Sequence, residues 1–273
     1  MNSTRVLITV KTYPTLSTKY GELVCTAGIR ESDGAWVRIY PMPFRRMQEE
    51  YHYRKYQWVS MQLVKNEKDR RPESYRPINL EDMDLQEVIG TSNKWAERKS
   101  LVLRDEHMFT SLGNLIAQTK EGKRSLAVFK PREYRAFSVE QTDREWPREK
   151  LEHCKAYLLQ PGLFSEDYYR EIEPVEKIPY KFKYKILDDD GRESSMMIED
   201  WEICQLYRNS LRRTRCEDAA LAKVREKCEM LMTEKDLYLF LGTTLQWHDI
   251  APNPYIIIGL FYPPKVSQLG LFP

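Results

Sequence analysis

The chain has 273 residues, a formal net charge of +2 and a charged fraction of 31%. Mean hydropathy is -0.64 and no run reaches the roughly 18 apolar residues of a membrane span. The opening Met1-Asn2-Ser3-Thr4-Arg5 leads straight into a strand pattern, so neither a membrane span nor a signal peptide is expected. With charge this close to balance, any nucleic-acid affinity must come from local clusters and not from a global field.

Residues 5 to 64 read as a compact β module. Val6, Ile8 and Val10 alternate with Arg5, Thr9 and Lys11, and Leu23, Cys25, Ala27 and Ile29 repeat the pattern. Ser32-Asp33-Gly34 predicts a hairpin into Trp36 to Tyr40, and Gln57 to Val64 supplies a further strand after Pro41 and Pro43. Short strands at this density predict a small barrel of the OB or SH3 type. Residues 65 to 125 are polar, with Asn66 to Glu73 an exposed loop and Asp82 to Val88 and Phe109 to Thr119 short helices. Leu126 to Phe129 predicts a buried strand, with Tyr134 to Val139 its partner.

The charged, proline-punctuated stretch from Glu140 to Lys177 is where a domain boundary is expected, giving domains 1–140 and 141–265 and a tail 266–273. Tyr180, Phe182, Tyr184 and Ile186 alternate with Lys181, Lys183 and Lys185, a half-buried strand that turns at Asp188-Asp189-Asp190-Gly191 into Met196 to Ile198. Glu199-Asp200 opens a helix with Trp201, Cys204 and Tyr207 inward and Arg208, Arg212, Arg213 and Arg215 near its end. A second helix carries Leu221, Val224, Cys228 and Leu231 on one face, and Leu237 to Leu241 and Tyr255 to Phe261 read as central strands. The predicted fold class is therefore α+β: a small N-terminal barrel plus a C-terminal antiparallel sheet with two helices.

Five unpaired-looking cysteines indicate reduced thiols, with Cys25, Cys204 and Cys228 placed for packing; Cys216, Cys228 and His248 have no zinc spacing. The four histidines are scattered and no glycine-rich phosphate loop exists, so no catalytic residue and no cofactor is assigned. The best candidate surface is the row Trp36, Arg38, Tyr40 on one strand face, followed by Phe44, Arg45 and Arg46: aromatic rings for bases beside cations for phosphates. The alternative is that Trp36 and Tyr40 face a core and Arg38 makes an internal ion pair. Lys181, Lys183 and Lys185 either track a phosphate backbone or protect an edge strand. Asp188, Asp189, Asp190 and Glu193 would be the Mg²⁺ ligands of a nuclease, or else a solvated turn.

Gln268-Leu269-Gly270-Leu271-Phe272 resembles the bacterial sliding-clamp binding motif, Gln-Leu-Xaa-Leu-Phe. The resemblance implies that Gln268 hydrogen-bonds in a polar subsite while Leu271 and Phe272 fill an apolar pocket of the clamp, with Leu269 between them. The alternative is a final strand folded back on the body. Elsewhere Lys11-Thr12-Tyr13-Pro14, Asp200-Trp201-Glu202 and Gly259 to Pro264 resemble uncharacterised bacterial proteins with no assigned activity. The resulting expectation is a cytoplasmic, nucleoid-associated accessory protein of replication, repair or phage defence. It binds DNA and is recruited to the sliding clamp; a catalytic partner subunit and the oligomeric state stay open. A metal-dependent nuclease with the same tail, and an interaction module that never touches nucleic acid, are the alternatives.

Overall fold

The computed structural model describes residues 3–17, 21–158 and 172–265. Its first half is a curled half-barrel of seven strands, in the order β7-β8-β5-β4-β1-β6-β9. These are β1 (Thr4–Lys11), β4 (Thr26–Arg30), β5 (Trp36–Ile39), β6 (Gln57–Met61), β7 (Leu63–Lys65), β8 (Ser74–Pro77) and β9 (Asp84–Val88), while β2 (Thr15–Ser17) and β3 (Gly21–Leu23) form a separate hairpin. The β4–β5 hairpin turns where Ser32-Asp33-Gly34 predicts it, with Gly34 at φ +72. Asp84–Val88 is a strand and not the expected helix, because it completes the sheet against β6.

Strand β1 reads differently from its simple alternation. A bulge between Ile8 and Val10 turns Val10 over. Val6 and Ile8 enter the core inside the curl, whereas Leu7 and Val10 enter a second layer on its outer face.

The second sheet is mixed, in the order β10-β11-β15-β16-β14-β13-β12. It comprises β10 (Met108–Phe109), β11 (Leu126–Phe129), β12 (Glu133–Gln141), β13 (Tyr180–Leu187), β14 (Glu193–Ile198), β15 (Tyr238–Thr243) and β16 (Tyr255–Phe261). The expected antiparallel sheet is interrupted by parallel pairing of β10 with β11 and β14 with β16. The second pairing arises because α4 (Trp201–Thr214) and α5 (Glu217–Glu234) carry the chain from β14 to β15, and β16 then returns beside β14. With α1 (Ser92–Val102) and α3 (Arg148–Leu158), the helix α2 (Leu112–Lys120) completes the set; α2, α4 and α5 pack on the outer face of this sheet.

The two sheets meet face to face through Leu7, Ile29 and Trp36 from the first and Val128, Phe240, Ile258 and Phe261 from the second. The layer accounts for the continuous apolar runs in β15 and β16, which are covered on both faces. The break between sheets falls between β9 and β10, so the boundary expected near residue 140 lies inside the second sheet, at the end of β12. Strand β12 pairs with β13 and not with β11.

Candidate nucleic-acid interface

The row Trp36, Arg38, Tyr40 is not an exposed platform. Strand β5 lies inside the first sheet, between β4 and β8, and its second face is covered by the second sheet. Trp36 is 5% exposed, with its ring 5.7 Å from Phe240 and 5.8 Å from His107. Arg38 is 2% exposed. Its Nη1 donates to Cys25 Sγ at 3.4 Å and its Nη2 to Ser125 O and Oγ at 3.2 Å. Glu73 closes this network by accepting from Ser125 N at 2.8 Å and Oγ at 2.6 Å. Burial first, and then the nearby charge of Arg71, push the Arg38 guanidinium below its ordinary value. Arg38 thus ties the two sheets together, and a phosphate has no path to it. Tyr40 is half-buried, and its carbonyl accepts from Asn66 Nδ2 at 3.3 Å.

Phe44 is likewise buried. Its ring lies 4.8 Å from Tyr53, 5.4 Å from Trp201 and 4.4 Å from His52. The Lys11 ammonium sits over this aromatic group, 4.0 Å from the Phe44 ring and 4.6 Å from Trp201. Burial, then repulsion by Lys55, lowers Lys11 to about 8. Lys55 itself is held by Asp200 at 2.9 Å and Glu202 at 3.1 Å. Arg45 is spent on Glu22 at 2.5 Å, while Arg46 places its guanidinium 5.9 Å from the Tyr157 ring.

The lysine face of β13 is largely neutralised. Lys181 and Lys183 pair with Glu140 of β12, and Lys185 pairs with Glu193 of β14 at 2.8 Å. Strand β13 is interior to its sheet, so edge protection is not its role either. The acidic group does not converge: Asp188 accepts from Leu112 N at 3.0 Å and Arg192 N at 2.8 Å, Asp190 from Ser111 Oγ, and Glu193 faces Lys185. Asp189 donates its backbone N–H to Thr110 O at 3.1 Å. These groups hold the start of α2 against the β13–β14 turn, and among the described residues no three His, Cys, Asp or Glu gather as a metal set.

What the fold does build is a cleft of about 760 Å³ at the β7–β8 end of the first sheet. Its apolar walls are Leu23, Pro41, Pro43, Ile78, Leu80 and Tyr157. Tyr157 is brought in by α3, which packs on the β2–β3 hairpin so closely that a Cβ on Gly21 would lie 2.5 Å from its ring. The polar lining is Lys65, Asn66, Glu67, Lys68 and Arg76, with Glu67 the one acid among the described residues that line it. Pairing of Val64 with Arg76 puts Arg76 on the cleft side of the edge hairpin, whereas Lys65 pairs with Tyr75 and turns its ammonium toward Pro72 O and the Tyr75 ring. Burial alone would raise the Tyr75 phenol, but the hydrogen bond from Arg30 and the charges of Arg30 and Lys65 outweigh it and lower the pKa. Lys68 and Arg76 are exposed and make no ion pair among the described residues.

Cations on the rim of an apolar and aromatic trough can hold a phosphate backbone with a base against the floor. Lys65, Lys68, Arg76 and Tyr157 were not legible as a site. The one local signal is the cation-rich stretch Lys65 to Arg76 between two short strands, which reads equally as a solvated loop. Gln268, Leu269, Leu271 and Phe272 lie outside the described residues.

The family described as Domain of unknown function (DUF8758) matches residues 2–104, and that described as Domain of unknown function (DUF8757) matches residues 108–273. No curated protein matches the chain. A solved murine DNA-binding protein bound with double-stranded DNA aligns over 100% of both chains, at a TM-score of 0.30 and 9% identity, a level at which neither fold nor function transfers.

Proposed function

This chain belongs to the DUF8757 family, and from its cleft we propose that it is a DNA-associated accessory protein whose β7–β8 cleft holds the nucleic-acid backbone. The observation that carries the reading is the pairing of an apolar, tyrosine-walled trough with two exposed cations, Lys68 and Arg76, that have no acidic partner among the described residues. Cations without an acidic partner beside such a floor are open to a polyanion, whereas the three lysines of β13 already face two carboxylates, Glu140 and Glu193, and keep one net positive charge between them.

Recruitment is assigned to Gln268-Leu269-Gly270-Leu271-Phe272, which presents a sliding clamp with one polar and two apolar anchors. A protein held at a ring that encircles DNA meets DNA at high effective concentration, so modest cleft affinity suffices.

The test is fluorescence anisotropy with a labelled oligonucleotide across a salt series. Binding should weaken steeply with salt, and the double variant Lys68→Glu/Arg76→Glu should lower affinity at least about ten-fold and flatten the log–log slope by about two. Unchanged binding by that variant moves the site elsewhere, and no binding at low salt ends the DNA reading. In parallel, full-length protein should bind purified bacterial sliding clamp, and Leu271→Ala/Phe272→Ala should not.

A further inference from the structure

Exposed large apolar side chains are concentrated in this protein. Among the described residues Leu245 is 46% exposed, Trp247 49% and Ile250 70%, all three on the loop between β15 and β16; Ile78 lines the cleft, and Val88 alone lies elsewhere. The loop is firmly built. His248 turns inward, its Nδ1 2.9 Å from Thr243 Oγ1, Trp247 N donates to Thr244 O at 3.2 Å, and Ala251 N donates to Trp247 O at 3.1 Å. Its base is fastened by Arg71, which donates to Thr243 O, and its tip by the Arg70–Asp249 ion pair. A loop that buries its histidine while presenting its tryptophan and isoleucine on a fixed turn has the geometry of a wedge and not of a collapsed connection.

The placement supplies the ligand chemistry. Arg70, which grips Asp249, stands two residues beyond Lys68 on the cleft rim. Trp247 and Ile250 lie within two residues of Asp249, so the Arg70–Asp249 pair brings the loop tip close to the chain segment that carries Lys68, while Ile78 lines the cleft itself. Aromatic and aliphatic groups beside phosphate-binding cations meet the flat faces of bases when those faces are free, and bases inside a duplex are already stacked on one another.

We propose that Trp247, backed by Ile250, stacks on unpaired bases of a nucleic acid whose backbone lies along Lys68 and Arg76, and so selects single strands over duplex. This inference rests on the reading of the cleft as a nucleic-acid site. Unchanged single-strand affinity in Trp247→Ala leaves the exposed tip to a protein partner instead.

The experiment uses the full chain and compares a labelled oligothymidylate with a duplex of equal length, for wild type, Trp247→Ala, Ile250→Ser and Lys68→Glu/Arg76→Glu. Trp247 and Ile250 are exposed, so their variants should retain the wild-type melting temperature, which is measured alongside. Expected are a preference for the single strand of about ten-fold or more, a loss of about ten-fold for Trp247→Ala on the single strand, and less than two-fold change on the duplex. Intrinsic fluorescence should be quenched by the oligothymidylate in wild type and clearly less in Trp247→Ala. Equal affinity for both ligands, or unchanged single-strand affinity in Trp247→Ala, overturns the wedge. If Lys68→Glu/Arg76→Glu still weakens binding in that case, the cleft reading stands by itself; if no variant changes anything, both fall.

Discussion

Asp200 joins the two halves of the molecule, and its removal is the sharpest test of how they are held. It is 1% exposed; Lys55, 9% exposed, reaches it from the turn before β6 at 2.9 Å. Asp200 also caps α4, accepting from Glu202 N at 2.8 Å and Ile203 N at 3.2 Å, and accepts from Leu260 N of β16 at 3.2 Å. Asp200→Ala leaves a buried ammonium with one remaining carboxylate, Glu202 at 3.1 Å, which is half in solvent. Breaking a buried pair costs about 3–5 kcal/mol and losing an N-cap about 1 kcal/mol. With Glu202 offsetting part of the first, a loss of about 4 kcal/mol is expected, a large share of the roughly 5–15 kcal/mol that keeps a domain folded. Urea unfolding followed by tryptophan fluorescence should show a midpoint lowered by more than about 1 M. The double variant Asp200→Ala/Lys55→Met removes the stranded charge and should regain about half of the loss. A loss no larger than the cap, or a double variant no better than the single, refutes the assignment of a buried, coupled pair.

Lys11 titrates in the folded protein at about 8, below its unfolded value near 10.4, so between these values the unfolded chain binds more protons and Lys11 makes stability rise with pH. The stability advantage of Lys11→Met over wild type should therefore shrink by roughly 3 kcal/mol from pH 8 to pH 10.5, measured by denaturant unfolding at each pH; a constant difference refutes the shift. Gly28→Ala places a Cβ 2.2 Å from Leu7 O, a backbone atom that cannot swing away, and should cost at least about 2 kcal/mol in a thermal melt. Gly122→Ala, at φ +71 with nothing within 4 Å, carries only left-handed strain of about 1 kcal/mol. Hydrogen bonds from Arg144 and Tyr180 hold Glu217 down at about 2. Its contribution to stability is thus present above the ordinary carboxylate range and lost as pH falls toward 2, and Arg144→Ala should move the Glu217 carboxyl titration upward by NMR.

The local elements were readable wherever periodicity or a turn signal was strong. Alternation gave β13, whose inward residues Phe182, Tyr184 and Ile186 are buried. Asp200 before Trp201 marked the start of α4, which it does cap. Asp84–Val88 misled because its charged, acidic sequence has helix-like composition, while its conformation is decided by pairing with β6. The candidate site was less readable: Trp36 and Arg38 were correctly placed on one face of one strand, but a strand carries no record of what covers that face.

Sequence alone determined the secondary structure of most of the chain, the two β-rich halves and the apolar runs of β15 and β16. These depend on residues within a few positions of one another, where steric preference and spacing act directly. Folding was needed to bring the second sheet over Trp36 and Arg38, to pair Glu140 and Glu193 with the β13 lysines, and to gather Leu23, Pro41, Arg76 and Tyr157 around one cleft. Those outcomes depend on which apolar face finds a partner across a separation of tens to hundreds of residues, and burial then sets which charges remain free to act.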